Sequence, residues 1–193
     1  MIRTRARLAA SPSAVLQFLL DDSRIAEYDD LFDKIAVVEA LDANAAFKRT
    51  CYKPIWPTAP RDFSLLCSWG KLDDGSAYLV NRSVEHPDCP EVKGFVRGIL
   101  MMCGFLVVPD VRPSSSSNSS NSNSNSNSST NNSNQANNAA AECRSCTLTM
   151  VVHTELGGNL PVSIVNKIST GAPAMVSAKL QKIFATGAHL KKR

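Results

Sequence analysis

A long amphipathic helix closes this chain, and the elements before it read mostly as β-strand. Between Leu160 and Ala185, apolar residues fall at Ile164, Val165, Ile168, Ala172, Met175, Val176, Leu180 and Ile183. That is the three-to-four spacing of one helical face. Gly157-Gly158-Asn159 interrupts the strand before it, and Pro161 falls in the first turn, where its missing N–H costs no hydrogen bond. Gly171 and Pro173 predict a kink, because Pro173 cannot donate to the carbonyl of Ser169. Such a helix must cover an apolar face, and the curved inner face of an antiparallel sheet is the available partner. The expected fold is α+β, a curved antiparallel sheet packed around a long C-terminal helix. The space between them is where function is to be sought.

Size and charge narrow the class. The chain has 193 residues, 44% of them apolar, enough to bury one sizeable core. Its net charge of +4 is scattered, and no Lys/Arg run is interleaved with aromatics, so no nucleic-acid partner is expected. The basic cluster Lys191-Lys192-Arg193 reads either as a solvated helix end favoured by the dipole or as a membrane-touching tail. The start, MIRTRARLAAS, lacks the apolar core of a signal peptide, and the longest apolar run, Ile99 to Val108, is about half a membrane span. A cytoplasmic protein, at most peripheral at membranes, is expected.

The cysteines are Cys51, Cys67, Cys89, Cys103, Cys143 and Cys146, mostly within strand-like apolar runs, as for buried thiols in a reducing compartment. Cys143 and Cys146 form a lone CxxC. It has no second pair to complete a zinc site, and it opens a strand rather than the helix of a redox motif. No metal and no cofactor are expected.

Taken in order, a short strand, Ile2 to Leu8, precedes a helix that Ser11-Pro12 starts as N-cap and first residue, with Val15, Leu16, Leu19 and Leu20 on one face. A second helix is expected over Ser23 to Phe32. Ile35 to Leu41 and Phe47 to Tyr52 read as a strand pair. Pro54, Pro57 and Pro60 then force a loop that carries Trp56. Phe63, Leu65, Cys67 and Trp69 alternate with Asp62, Ser64, Leu66 and Ser68, a period-two strand. Asp74-Gly75 signals a hairpin into Ala77 to Val84. A second proline loop, HPDCPEVKG, leads to the longest strand, Phe95 to Pro109, in which Gly98 and Gly104 are places for bulges. Thr147 to Leu156 is the last strand. The stretch 112–142 between these last two strands is dominated by the Ser/Asn tract Ser114 to Asn134, which has nothing to bury and is expected to be a disordered insert within a single domain, 1–193.

Catalytic patterns are sparse. The chain has no GxSxG elbow, P-loop or GxGxxG opening a helix. His153 and Glu155 share a strand face, either as half of an acid–base or metal site or as a surface polar pair, and no third partner can be named. Asp29 and Asp30 read as loop or helix-start carboxylates. No enzymatic activity is expected.

The segments RDFSLLCSW (Arg61 to Trp69), SVEHPDCP (Ser83 to Pro90), GFVRGILMMCGFLVVP (Gly94 to Pro109), CTLTMVVHTELGGNLP (Cys146 to Pro161) and the terminal helix, in this order and spacing, resemble a START domain, the lipid-transfer module related to steroidogenic acute regulatory protein. The resemblance implies a helix-grip fold in which sheet and C-terminal helix enclose a tunnel for one lipid. It implies that this helix and the loop around Trp56 act as a lid. The partners implied are a lipid ligand, of a class left open between sterol, phospholipid and others, and a transient membrane contact.

Two departures accompany the resemblance. START domains open with a helix and two strands without counterpart here, since Ile2 already resembles the third strand; the chain therefore reads as N-terminally truncated. The pattern of the sterol-binding members, a buried arginine facing an acid, is missing: Cys67 stands where the arginine would be, and Thr50 or Cys51 where the acid would be. The choline-lipid pattern is half met, with Tyr28-Asp29 present and Ile25 in the arginine's place.

The residues expected at the lipid are Trp56, Phe63, Leu65, Cys67, Trp69, Arg97, Ile99, Met101, Cys103, Val165, Ile168, Met175 and Val176. Phe95, Arg97, Ile99, Met101 and Cys103 are taken to share one strand face, on which Arg97 is the sole cation. It either pairs with an acid or backbone carbonyls or meets a headgroup. Arg61 and Asp62 are expected to pair and hold the end of the proline loop. Trp56 either reaches membrane or ligand or packs under the lid. The leading reading is a non-enzymatic lipid carrier; the alternative is a cyclase- or hydratase-like enzyme on the same scaffold.

Overall fold

A computed structural model of the protein describes residues 1–110, 144–158, 160, 162–166, 168 and 171–190. The insert expected over 112–142, together with Cys143 and the Lys191-Lys192-Arg193 cluster, lies outside the described residues.

The chain runs through β1 (Ile2–Leu8), α1 (Pro12–Leu20), α2 (Ile25–Tyr28), β2 (Phe32–Asp42), β3 (Ala45–Tyr52), β4 (Arg61–Lys71), β5 (Ala77–Ser83), β6 (Val96–Arg97), β7 (Ile99–Pro109), β8 (Cys146–Glu155), α3 (Val162–Asn166) and α4 (Ala172–Ala185). The strands form one sheet in the order β1-β8-β7-β5-β4-β3-β2, with the short β6 beside β4. Neighbours on the main path are antiparallel, and β6 runs parallel to β4. Register shifts at three places in β2 and one in β7 add local twist, which helps the sheet to curl.

The helices cover part of the concave face. Ser11 caps α1, its Oγ accepting the N–H of Ala14 at 3.3 Å, and Pro12 takes the first turn. Val15, Leu16, Phe18 and Leu19 then turn inward to meet Leu79, Phe105, Val107, Leu148 and Met150 from the sheet. From the other side α4 contributes Val176, Leu180 and Phe184. Phe184 meets Phe18 edge-to-face at 5.3 Å. Leu180 is fully buried and Phe184 nearly so, each contributing roughly 1.5–3 kcal/mol. Two polar links fix α4 in place. The Thr4 and Ser177 hydroxyls share a 2.6 Å hydrogen bond, and Arg24, stacked on Phe18, donates to the carbonyls of Ala188 and His189 beyond the helix end.

Several expected boundaries move, each for a local reason. The helix expected over Ser23 to Phe32 shrinks to a 3₁₀ turn, Asp22–Arg24, and the four residues of α2. Asp29 ends it, its carboxylate accepting the Leu31 N–H at 3.0 Å and turning the chain into β2. The strand expected over Phe95 to Pro109 divides at Gly98 into β6 and β7. A Cβ at Gly98 would sit 2.4 Å from the Phe63 ring, so only glycine allows this approach. Among the described residues the terminal helix forms two pieces, α3 and α4. Pro173 lies in the first turn of α4, where it costs no hydrogen bond, instead of kinking a continuous helix. The five described cysteines are free; four are buried and Cys103 is half-buried.

Candidate functional site

The helices leave part of the concave face uncovered, and a cavity of about 270 Å³ lies there. Strand alternation determines its wall. On β4, Arg61, Phe63, Leu65, Cys67 and Trp69 face inward, whereas Asp62 and Ser64 face the convex side. On β3 the inward residues are Lys48, Thr50 and Tyr52; on β5, Leu79 and Asn81. Leu100, Cys103 and Phe105 come from β7, and Met150, Val152 and Thr154 from β8. Leu19, Ile25, Ile168, Pro173 and Val176 close it from the helical side.

The wall is mostly apolar, and burial favours the neutral forms of its thiols and phenols. Burial pushes the Cys67 thiol up to about 11 and the Cys103 thiol up to about 12. It raises the Tyr28 and Tyr52 phenols and the Asp29 carboxyl in the same way. The inward cation Lys48 is neutralised by Asp22, whose two carboxylate oxygens both lie 2.8 Å from Nζ. No histidine lies on the wall among the described residues. The arrangement is thus suited to enclosing apolar matter.

Of the residues expected at the ligand, Phe63, Leu65, Cys67, Trp69, Cys103, Ile168 and Val176 line this cavity, and Trp56, Arg97, Ile99, Met101, Val165 and Met175 do not. The β7 residues are displaced by a bulge. Leu100 pairs with Thr154 and Met102 with His153, so Met101 is an extra residue between them. The extra residue reverses the alternation: Cys103 and Phe105 point in, but on the other side of the bulge it is Leu100 that lines the cavity, and Ile99 and Met101 are exposed.

Arg97 lies on the convex side, where its guanidinium binds Asp62 at 2.9 and 3.1 Å and donates to the carbonyls of Cys89 and Pro90. Arg49 reaches the same carboxylate at 2.6 Å. Asp62 therefore does not pair with Arg61; consecutive strand residues point to opposite faces. Trp56 stands 90% exposed on the proline loop. Met175 is 53% exposed, one position round the helix from the buried Val176. His153 and Glu155 are both exposed on β8, and no group of three or more metal-ligating side chains forms among the described residues.

Arg61 and Tyr28, named from the sequence in other roles, also line the cavity, and sequence reasoning passed over the Lys48–Asp22 pair, Tyr52, Asn81 and Leu100. The period-two reading applied to β4 would have found Lys48, Thr50 and Tyr52 had it been carried to β3. Asp22 comes from the α1–α2 region and carries no comparable signal.

A family model for the START domain matches residues 1–187. The chain is 25% identical to StAR-related lipid transfer protein 5 of Bos taurus over 163 residues, 81% of this chain and 61% of the relative. It is 33% identical to StAR-related lipid transfer protein 13 of Homo sapiens over 101 residues, 52% of this chain and 9% of that protein. The chain thus spans less than two thirds of the length of these relatives. The solved structure of human StAR-related lipid transfer protein 5 superposes with a TM-score of 0.73 at 21% identity, covering 96% of this chain and 76% of that one. Human STARD10 gives 0.68 at 18%, covering 97% and 65%. Both share the fold: a curved antiparallel sheet with a C-terminal helix across it.

Proposed function

Since the chain belongs to the START domain family, we propose that it is a carrier which holds one lipid molecule in the cavity between sheet and helices and exchanges it with membranes. The observation that carries this reading is the wall itself: predominantly apolar, with its thiols, phenols and Asp29 carboxyl pushed toward their uncharged forms by burial. An enzyme on the same scaffold would need a group ionised or poised to exchange a proton near neutral pH. Burial moves the two thiols and two phenols away from that range; its upward shift of the Asp29 carboxyl is opposed by the backbone hydrogen bonds of Leu31 and Phe32.

Exchange requires the cavity to open. The C-terminal half of α4 is buried through Leu180 and Phe184 and tied by Arg24, so opening is assigned to the 53–60 loop, the Gly157-Gly158 turn and α3. Trp56, exposed on that loop, is the residue offered to a membrane surface. Among the described residues no helix is long and apolar enough to cross a membrane.

The test is native mass spectrometry of the purified protein, followed by extraction of lipid from mixed-composition liposomes. A lipid adduct of one-to-one stoichiometry, and its transfer between vesicle populations, is the expected result. A protein that carries no lipid and extracts none from any vesicle would refute the reading.

A further inference from the structure

Arg61 is 8% exposed, and β4 sets it on the cavity wall at the strand's first position, beside Phe63 and the proline loop. Its partners among the described residues are all neutral. Nη1 donates to the Thr58 hydroxyl at 2.6 Å and to the carbonyl of Ala59, and Nε reaches the Leu156 carbonyl at a long 3.4 Å. Nη2 bonds to none of the described residues. The other buried or largely buried cations differ in this respect: Lys48 has Asp22, Arg24 has Glu27, and Arg49 and Arg97 share Asp62. Burial draws the Arg61 pKa down, and no neighbouring carboxylate acts against it. Asp29, an acid on the same wall, is not its partner; that carboxyl is governed by burial, by its own backbone hydrogen bonds, and by Asp30 and Lys179.

A buried guanidinium without a counter-charge is costly, and its planar fork matches a carboxylate or phosphate. Arg61 lines the cavity, so such a group would reach it from there. Gly158, at φ +67°, lies over Nη2, and a Cβ there would only just reach van der Waals distance. Beyond Arg61 the inner row continues as Phe63 and Leu65, with Leu100 and Leu156 beside them.

Resting on the reading of the cavity as a lipid site, we propose that Arg61 anchors an oxyanion and that the preferred cargo is an acidic lipid, an aliphatic chain ending in a carboxylate or phosphate. The head sits at the proline-loop end, and the chain runs along the inner row of β4.

The test uses titration calorimetry on the full chain with dodecanoate, dodecyl phosphate, dodecanol and inorganic phosphate. The wild-type protein should bind the two acids at least about tenfold more tightly than dodecanol, as expected for a charge-assisted bond in a partly dry site. Arg61→Gln should bring acid and alcohol to within about twofold while dodecanol binding is kept, and Arg61→Lys should retain much of the preference. Equal wild-type affinity for acid and alcohol would overturn the inference. So would a folded Arg61→Gln that loses dodecanol along with the acids, which marks a purely structural arginine. Inorganic phosphate binding as tightly as dodecyl phosphate would make the site one for free anions, again overturning it. Failure of every chain to bind would instead remove the lipid reading itself. If Arg61→Gln does not fold, the wild-type comparison of acid with alcohol decides alone.

Discussion

Met175 and Val176 are adjacent on α4, yet a carboxylate placed at each should have opposite consequences. Val176 is 6% exposed, lines the cavity and belongs to the core around Phe18 and Leu180. Val176→Asp forfeits the burial of the valine side chain, roughly 1.5–3 kcal/mol. It also sets a carboxyl among apolar groups, where it costs about 1–3 kcal/mol more after partial hydration from the cavity and a shift toward its neutral form. The sum, about 2.5–6 kcal/mol, is a large share of the stability of about 5–15 kcal/mol usual for a domain. Met175, half exposed, should tolerate the same change within about 0.5 kcal/mol. Chemical denaturation measures both, and liposome extraction on whichever variants remain folded measures the effect on cargo. The Val176→Asp deficit should shrink as pH falls below the ordinary carboxylate range, because protonation removes the buried charge. Equal losses for the two variants, or a Met175→Asp deficit exceeding that at Val176, would refute the placement of this helix.

Three further outcomes are expected. Asp29 has its pKa raised by burial, so its contribution favours the fold below the unfolded-state pKa and is lost as pH rises through the folded one; Asp29→Asn, which retains the oxygen that accepts from Leu31, should therefore raise the melting temperature at pH 7 and lose that advantage at acid pH. Thermal melts with no such pH trend would refute it. Cys67 and Cys103, held near 11 and 12, should alkylate far more slowly with iodoacetamide at pH 7.5 than free cysteine and react readily on unfolding, with rapid modification in the folded protein as the contrary result. Deleting Ser114 to Asn134 and closing with a short Gly/Ser turn should preserve a cooperative melt, because Asp110 N–H already bonds the Ser145 carbonyl at 3.0 Å where the two strands meet; a lost transition would show the tract to be structural.

Alternation was the strongest legible signal. On β4 the residues from Phe63 to Trp69 specify which side chains face the cavity, and the structure places them there. The same reasoning failed on β7 because one bulged residue at Met101 inverts the pattern, and no local feature of a run as uniformly apolar as ILMMCGFLVV announces where the extra residue falls. Helical spacing identified the face of α4 but could not separate Met175 from Val176. These neighbours differ by about 100° around the axis, and the boundary of the buried stripe depends on how α4 lies across β1. Unbroken alternation through the same run also puts Arg97 on the inward face with Ile99. Its position on the convex side follows from the break at Gly98, a glycine whose need becomes visible only once the Phe63 ring is in place.

The electrostatic layout of the wall bears on where a polar head could rest. Lys48 sits opposite Leu65, in the middle of the inner face, and is already held by both oxygens of Asp22. A charged head placed there would have to separate a largely buried ion pair, and removing one partner of such a pair typically costs about 3–5 kcal/mol. Tyr28, Tyr52, Cys67 and Cys103 can offer hydrogen bonds without charge, so they suit hydroxyl or carbonyl groups along a chain better than an ionic terminus. Arg61, which β3 pairs with Tyr52 at the opposite end of the strand from Trp69, is the buried cation on this wall whose partners are all neutral; Lys53, which bonds the Asp30 carbonyl, is exposed. A lipid with a charged end therefore gains most, and disturbs least, when that end lies by the proline loop and its chain points toward Phe105 and Met150. Replacing Lys48 should then affect stability more than selectivity, whereas replacing Arg61 should do the reverse.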